Sequence, residues 1–302
     1  MPDYATHYYF GQEVLSALPK NISAVIDQGL YDFALSGPDD WALYRFYIPW
    51  LRHGKNERAQ FMHNQKCGDF LSSLIKEPAL FSYTAGFLCH YVLDSTCHPY
   101  INAFSGEYLA TPETIIYRGN HMAFEHAIDN SYLLEYSNFK KHPISKEMTG
   151  KLLPQSLEHL INKIYFNVFG WQDVFKDLNE AKKGLRTFLW FAEDPHKVLK
   201  VFTNLFSHPT LRAVPYSRKY YANADIRNLT HQQWHYPQAP DIISTESFDD
   251  LFEKAKRKAV HLISLAFVGD SSEIGNTSYV TGLELTDPRA NALKTFTPLE
   301  RY

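Results

Sequence analysis

Only three cysteines, Cys67, Cys89 and Cys97, stand among 302 residues. An odd number leaves one without a partner, and a chain of this length buries enough core to need no disulfide staple, so reduced thiols are expected. The N-terminus, MPDYATHYYF, has neither the basic region nor the continuous apolar stretch of a secretory signal. No run approaches the roughly 18 uninterrupted apolar residues of a spanning helix; residues 83–93 are broken by His90 and closed by Asp94. These absences predict a soluble, cytoplasmic protein. Basic residues are in no excess either, with 30 Lys and Arg against 33 Asp and Glu and a net charge of −3, which argues against a long nucleic-acid footprint. Strand-type alternation is scarce, and there is no internal repeat or low-complexity tract.

What remains is helical periodicity and aromatic residues. The 20 Tyr and 21 Phe predict a well-packed helical core, with transient contact at a membrane surface as a second use. Thr6 is placed to cap a first helix whose His7, Phe10, Val14 and Leu18 share one face. LSGPDDW, 35–41, reads as a turn. Helices are expected over 57–75 and 80–97, the second apolar almost all round and therefore buried. Pro99 disfavours helical geometry at His98, so this helix should end near Cys97 and let His98 leave the helical path. After a loop at 102–118, GNHMAFEHAIDNSYLLEYS reads as another helix. LEHLINKIYFNVF, LRTFLWFAEDPHKVLKVFTNLF and FDDLFEKAKRKAVHLISLAF continue the pattern, while 211–245 and 269–302 look like loop and polar tail. The expectation is an all-α, multi-helix single domain over 1–302, with the motifs in 1–135.

The chemistry is concentrated in CHYVLDSTCHPY, 89–100. Residues four apart share a helix face, so His90 and Asp94 can bind one ion. His98 lies about 12 Å along the axis from His90 and suits a different ion. His121 and Glu125 repeat the same spacing. Imidazole nitrogen with carboxylate oxygen suits zinc, with manganese or iron also accepted. Burying an ionised carboxylate without a partner is expensive, and the helix around Asp94 offers no Lys or Arg. A cation must come from elsewhere, either a metal or a distant arginine such as Arg45 or Arg118.

ATHYYFG, GPD, MHNQ, GFLCHYVLDSTCHP and HMAFE together, in this order, resemble the zinc-dependent phospholipase C proteins, which are related to the trinuclear-zinc single-strand nucleases. The resemblance spans roughly residues 2–135 and implies a helical bundle with a metal site in a cleft. It implies that Asp39, His63, His90 and Asp94 hold one zinc, that Asp94 bridges to a second completed by His7 and the N-terminal amine, and that His98, His121 and Glu125 hold a third. Asp40 and His53 are the nearest substitutes for Asp39 and His63. His126 faces about 100° away from Glu125 and is left out. Two departures stand out. No N-terminal tryptophan is present, so removal of Met1 would make Pro2 the terminal ligand, and the spacing from Asp94 to His98 is shorter than in the secreted enzymes.

The expected activity is hydrolysis of a phosphodiester, first of all a phospholipid head group, by hydroxide held between paired ions, with Asp39 doubling as ligand and proton acceptor. A single-strand nuclease or a small phosphoester hydrolase is the alternative, and from another class, a non-catalytic helical metal-binding or interaction protein. YSRKYY, 216–221, offers aromatics beside cations of the kind that bind single strands. WHYPQAPD, 234–241, is an aromatic loop that could line the pocket.

Overall fold

A computed structural model describes residues 4–106, 115–135, 148–192, 198–205, 209–215 and 225–290. The fold is all-α with one small sheet. Its helices are α1 (Tyr4–Ala17), α2 (Lys20–Ser23), α3 (Gln28–Ala34), α4 (Arg58–Asn64), α5 (Cys67–Ile75), α6 (Phe81–Ser105), α7 (Ile115–Glu135), α8 (Glu158–Phe169), α9 (Val174–Ala192), α10 (Val198–Thr203), α11 (Pro209–Ala213) and α12 (Phe248–Phe267). A 3-10 helix, Gly37–Leu43, occupies the turn expected at 35–41. Among the described residues no helix is long and apolar enough to cross a membrane.

The apolar sequence of α6 makes it the hub. It is buried along almost its whole length, and α1, α3, α5, α7 and α12 pack on it. Gly86 sets the approach of α3, because a Cβ there would lie 2.3 Å from the Tyr31 carbonyl oxygen. Asp27 caps α3 by accepting from the Leu30 amide, and Ser247 with Asp250 forms a capping box at α12.

Several expectations are corrected. Helix α6 runs through Pro99 to Ser105. The proline removes one backbone hydrogen bond, but the turns beyond it bury Tyr100, Ile101 and Phe104, with Tyr100 against Trp234 and Phe248 and Phe104 against Phe124. Burial of those side chains outweighs the lost bond. Residues 102–105 and 115–118, expected as loop, belong to α6 and α7, and 107–114 lie outside the described residues. Thr6 lies inside α1 rather than at its cap. The helix expected over 57–75 is two, broken where Gln65 is extended and Lys66 is left-handed at φ 55°. The stretch 185–206 likewise divides between the end of α9 and α10. Within the expected loop at 211–245, Trp234–Tyr236 (β1) and Ala239–Ser244 (β2) pair antiparallel, Trp234 opposite Ser244.

Residues 275–285 are not a loose tail. They close over the α4–α5 break, where the Gly68 amide donates to Asn276 Oδ1 at 2.8 Å and Ser278 Oγ donates to Asn64 Oδ1 at 3.1 Å. Asn102 of α6 donates to the Val280 carbonyl at 3.1 Å.

Candidate metal centre

Four elements converge on one buried polar cluster. His7 comes from α1, Asp39 from the 3-10 helix, His63 from the last turn of α4, and His90 and Asp94 from successive turns of α6. Asp94 stands at the middle. Its Oδ1 lies 3.2 Å from His7 Nε2, and its Oδ2 lies 3.1 Å from His90 Nε2 and 3.4 Å from His63 Nε2. Asp39 Oδ1 is 3.2 Å from His63 Nε2. One turn further along α6, His98 meets α7, its ring 5.4 Å from that of His121, which in turn sits 2.8 Å from Glu125 Oε1. The ligand-type atoms fall into three compact groups, His7–His90–Asp94, Asp39–His63–His90 and His98–His121–Glu125.

The outer ring nitrogens are held by the fold. Nδ1 of His63, His90 and His98 faces the carbonyl oxygens of Ala59, Leu35 and Tyr279 at 2.6, 3.1 and 2.8 Å. A proton on Nδ1 donated to each carbonyl leaves Nε2 as a lone pair aimed at the cluster, the tautomer a metal-ligating histidine adopts. Gly37 makes room for this arrangement. It has φ 49°, and a Cβ would lie 2.4 Å from the His90 ring.

Polar atoms inside the cluster lack partners. His90 Nε2, both oxygens of Asp94, Asp39 Oδ1 and both nitrogens of His7 are buried and make no hydrogen bond. Buried orphans of this kind are costly, and acceptors converging on one point are the environment a cation satisfies. Burial pushes Asp94 upward, but His90, His63 and His7 outweigh it and hold the carboxyl well below its ordinary value. Burial lowers His63, yet Asp39 and Asp94 carry it up to about 10. In His7, His98 and His121 burial prevails and lowers the pKa, which favours the neutral ring that binds metal. The donor set of nitrogen and carboxylate oxygen fits zinc.

Each predicted side chain in the described residues therefore reaches the cluster; Pro2 lies outside them, as do 216–221. The alternatives do not reach it. His53 is exposed, and Asp40 turns away to Lys182 Nζ at 2.8 Å. His98 arrives without leaving the helix, contrary to the expectation from Pro99, because α7 packs alongside α6. Aromatic 234–241 packs on the far part of α6 through Trp234 and Tyr100.

Three contributors were not foreseen. Asp129 accepts the amides of Ala5 and Thr6 and the Thr6 hydroxyl, fixing the start of α1 near His7. It continues the spacing His121, Glu125, Asp129, and that register was the available signal. Lys182, fully buried, grips Asp40, the Phe33 carbonyl and Ser36 behind Asp39. Tyr279 receives His98 Nδ1 on its carbonyl, donates its amide to the His63 carbonyl at 2.9 Å, and packs its ring 5.3 Å from His63. Nothing in its local sequence marks it.

The fold and cluster define a helical protein built around a buried histidine–carboxylate centre of metal-binding type. A family model described as zinc dependent phospholipase C matches residues 6–173, and the chain belongs to that family. No curated protein and no solved structure matches the chain.

Proposed function

We propose that this protein is a zinc-dependent phosphodiesterase that cleaves the head group from a phospholipid. The observation that carries the reading is the convergence of the three His–carboxylate groups inside a member of this family. In this reading Asp39, His63, His90 and Asp94 hold one zinc. Asp94, with one oxygen toward His7 and the other toward His63 and His90, would also serve a second held with His7. His98, His121 and Glu125 hold a third. Zinc bound there lowers the pKa of water toward neutrality and draws charge from a phosphoryl oxygen.

The chain's own groups do the rest. Asp39 Oδ1, free of hydrogen bonds, takes the proton of the attacking water. The carbonyls of Leu35, Ala59 and Tyr279 hold the imidazoles in one tautomer. His121, with 23% of its side chain exposed, is the most accessible of the site's side chains and marks where the phosphate enters.

Elemental analysis of the purified protein, paired with phosphatidylcholine dispersions and a single-stranded oligonucleotide as substrates, tests this. Zinc near one per group and release of phosphocholine are expected. Absence of bound metal would end the reading, and cleavage of the oligonucleotide alone would transfer the site to nuclease chemistry.

A further inference from the structure

Helix α10 and the two residues after it are turned the wrong way for a water-facing element. Val198, Val201, Phe202 and Leu205 recur at the three- and four-residue spacing of a core stripe, yet they are 70%, 66%, 56% and 78% exposed. At the end of α9, Trp190 and Phe191 stand 63% and 50% exposed with their rings 4.9 Å apart. Beside them runs segment 45–52, RFYIPWLR, whose Phe46 packs 6.0 Å from Phe188 of α9 and whose Tyr47 and Trp50 are 48% and 76% exposed. Scattered surface apolars need no explanation; side chains this large on adjoining elements do.

Position ties this surface to the centre. Tyr4, three residues before His7, packs against Leu185 and Leu189 of α9. Helix α10 touches α11, which packs along α7, the helix that bears His121 and Glu125. The exposed side chains thus belong to elements that pack, directly or through one neighbour, on α1 and α7, the helices that carry His7, His121 and Glu125.

Composition identifies the occupant. Segment 45–52 carries two arginines and no carboxylate, residues 198–205 carry one charge, Lys200, and residues 187–192 carry none. Tryptophan and tyrosine beside aliphatic side chains and cations match the interfacial layer of a bilayer, where rings sit at head-group depth and cations meet phosphate. We propose that the exposed apolar side chains of segment 45–52, the end of α9 and α10, among them Trp50, Trp190, Phe191, Val198, Val201 and Leu205, insert at a phospholipid surface and hold the protein there for its metal centre to act on lipid head groups. This rests on the reading of that centre as a phospholipid-cleaving site.

The test uses full-length, zinc-loaded protein and phosphatidylcholine vesicles. The wild type is expected to co-sediment with vesicles and to hydrolyse both vesicles and monomeric dihexanoyl phosphatidylcholine. The double variant Trp190→Ser, Val201→Ser, both at exposed sites, is expected to lose about tenfold or more in vesicle binding, each tenfold being about 1.4 kcal/mol, while its rate on the monomeric lipid and its melting temperature stay unchanged. Unaltered vesicle binding by this variant overturns the proposal. So does a wild type that ignores vesicles but forms a dimer which the variant abolishes, since the face would then cover a second copy. Asp94→Asn separates the two readings: it is expected to bind vesicles without cleaving them, whereas wild-type binding with no hydrolysis of either lipid sinks the phospholipase reading and leaves docking intact.

Discussion

Asp94 is fully buried, with no lysine or arginine paired to it among the described residues, and its two oxygens divide three imidazoles between them. If it bridges two ions, Asp94→Asn loses zinc and hydrolysis together; unchanged zinc by elemental analysis would remove the bridging role. A second buried carboxylate behaves differently. Burial pushes Asp32 up to about 6, against the opposing hydrogen bonds from Gln28 and Gln12. The folded state therefore holds this proton more tightly than the unfolded chain, so its cost is absent near pH 4, grows through pH 6 and is complete above. Both glutamine amides donate to Asp32 Oδ1, an oxygen asparagine keeps. Asp32→Asn should stabilise the protein by up to about 1–3 kcal/mol above pH 6 and by little near pH 4, as read from urea unfolding at the two pH values. At this scale the sequence was legible wherever spacing carried the signal, as for His90, Asp94, His121 and Glu125. Tyr279 was illegible because it acts through its backbone, and a carbonyl has no residue type.

The 3-10 helix that carries Asp39 owes its place to a neighbour. Lys182 of α9 reaches Asp40 and Ser36 across it with no exposure to water. Removing one member of such a pair strands the other charge, so Lys182→Met should cost about 3–5 kcal/mol, with the double variant Lys182→Met, Asp40→Leu recovering much of it; chemical denaturation of the singles and the double gives the coupling. Between α3 and α6, Gly86→Ala drives a Cβ into the Tyr31 carbonyl and should destabilise by about 1–3 kcal/mol, measurable as a lower melting temperature. Element boundaries were where sequence reading failed most. Pro99 is a helix breaker by local geometry, but the apolar run continues past it, and tertiary burial of Tyr100, Ile101 and Phe104 decided the outcome. At the 57–75 break tertiary contacts work the other way, since residues far along the chain bond His63, Asn64 and Gly68 on either side of Gln65 and Lys66.

Across the whole molecule, the three groups draw on α1, the 3-10 helix, α4, α6 and α7. Ions bound there would add links between elements already joined by packing and by hydrogen bonds such as those of Asp129 to the start of α1, and a ligand that binds only the folded state stabilises it. Chelation should therefore lower the melting temperature by several degrees or more and zinc should restore it; a scan indifferent to chelator would count against metal in the native protein. The helical class was readable because it rests on short spacings, as does the pairing of His90 with Asp94 and of His121 with Glu125; that His7, Asp39 and His63 would join them was implied by the resemblance alone. How 275–285 folds back was not readable, for its contacts join residues some two hundred positions apart.

That return has a temporal meaning as well as a spatial one. His98 is oriented by a carbonyl 181 residues later in the chain, and the amide of the same residue, Tyr279, reaches back to His63. A nascent chain emerging from the ribosome could form α6 early, yet could not orient His98 through Tyr279 until a further 181 residues had been synthesised. Contacts of such long separation form late and slowly. The centre would thus become fully ordered only after Tyr279 has emerged, so a product ended before that residue would lack an oriented His98.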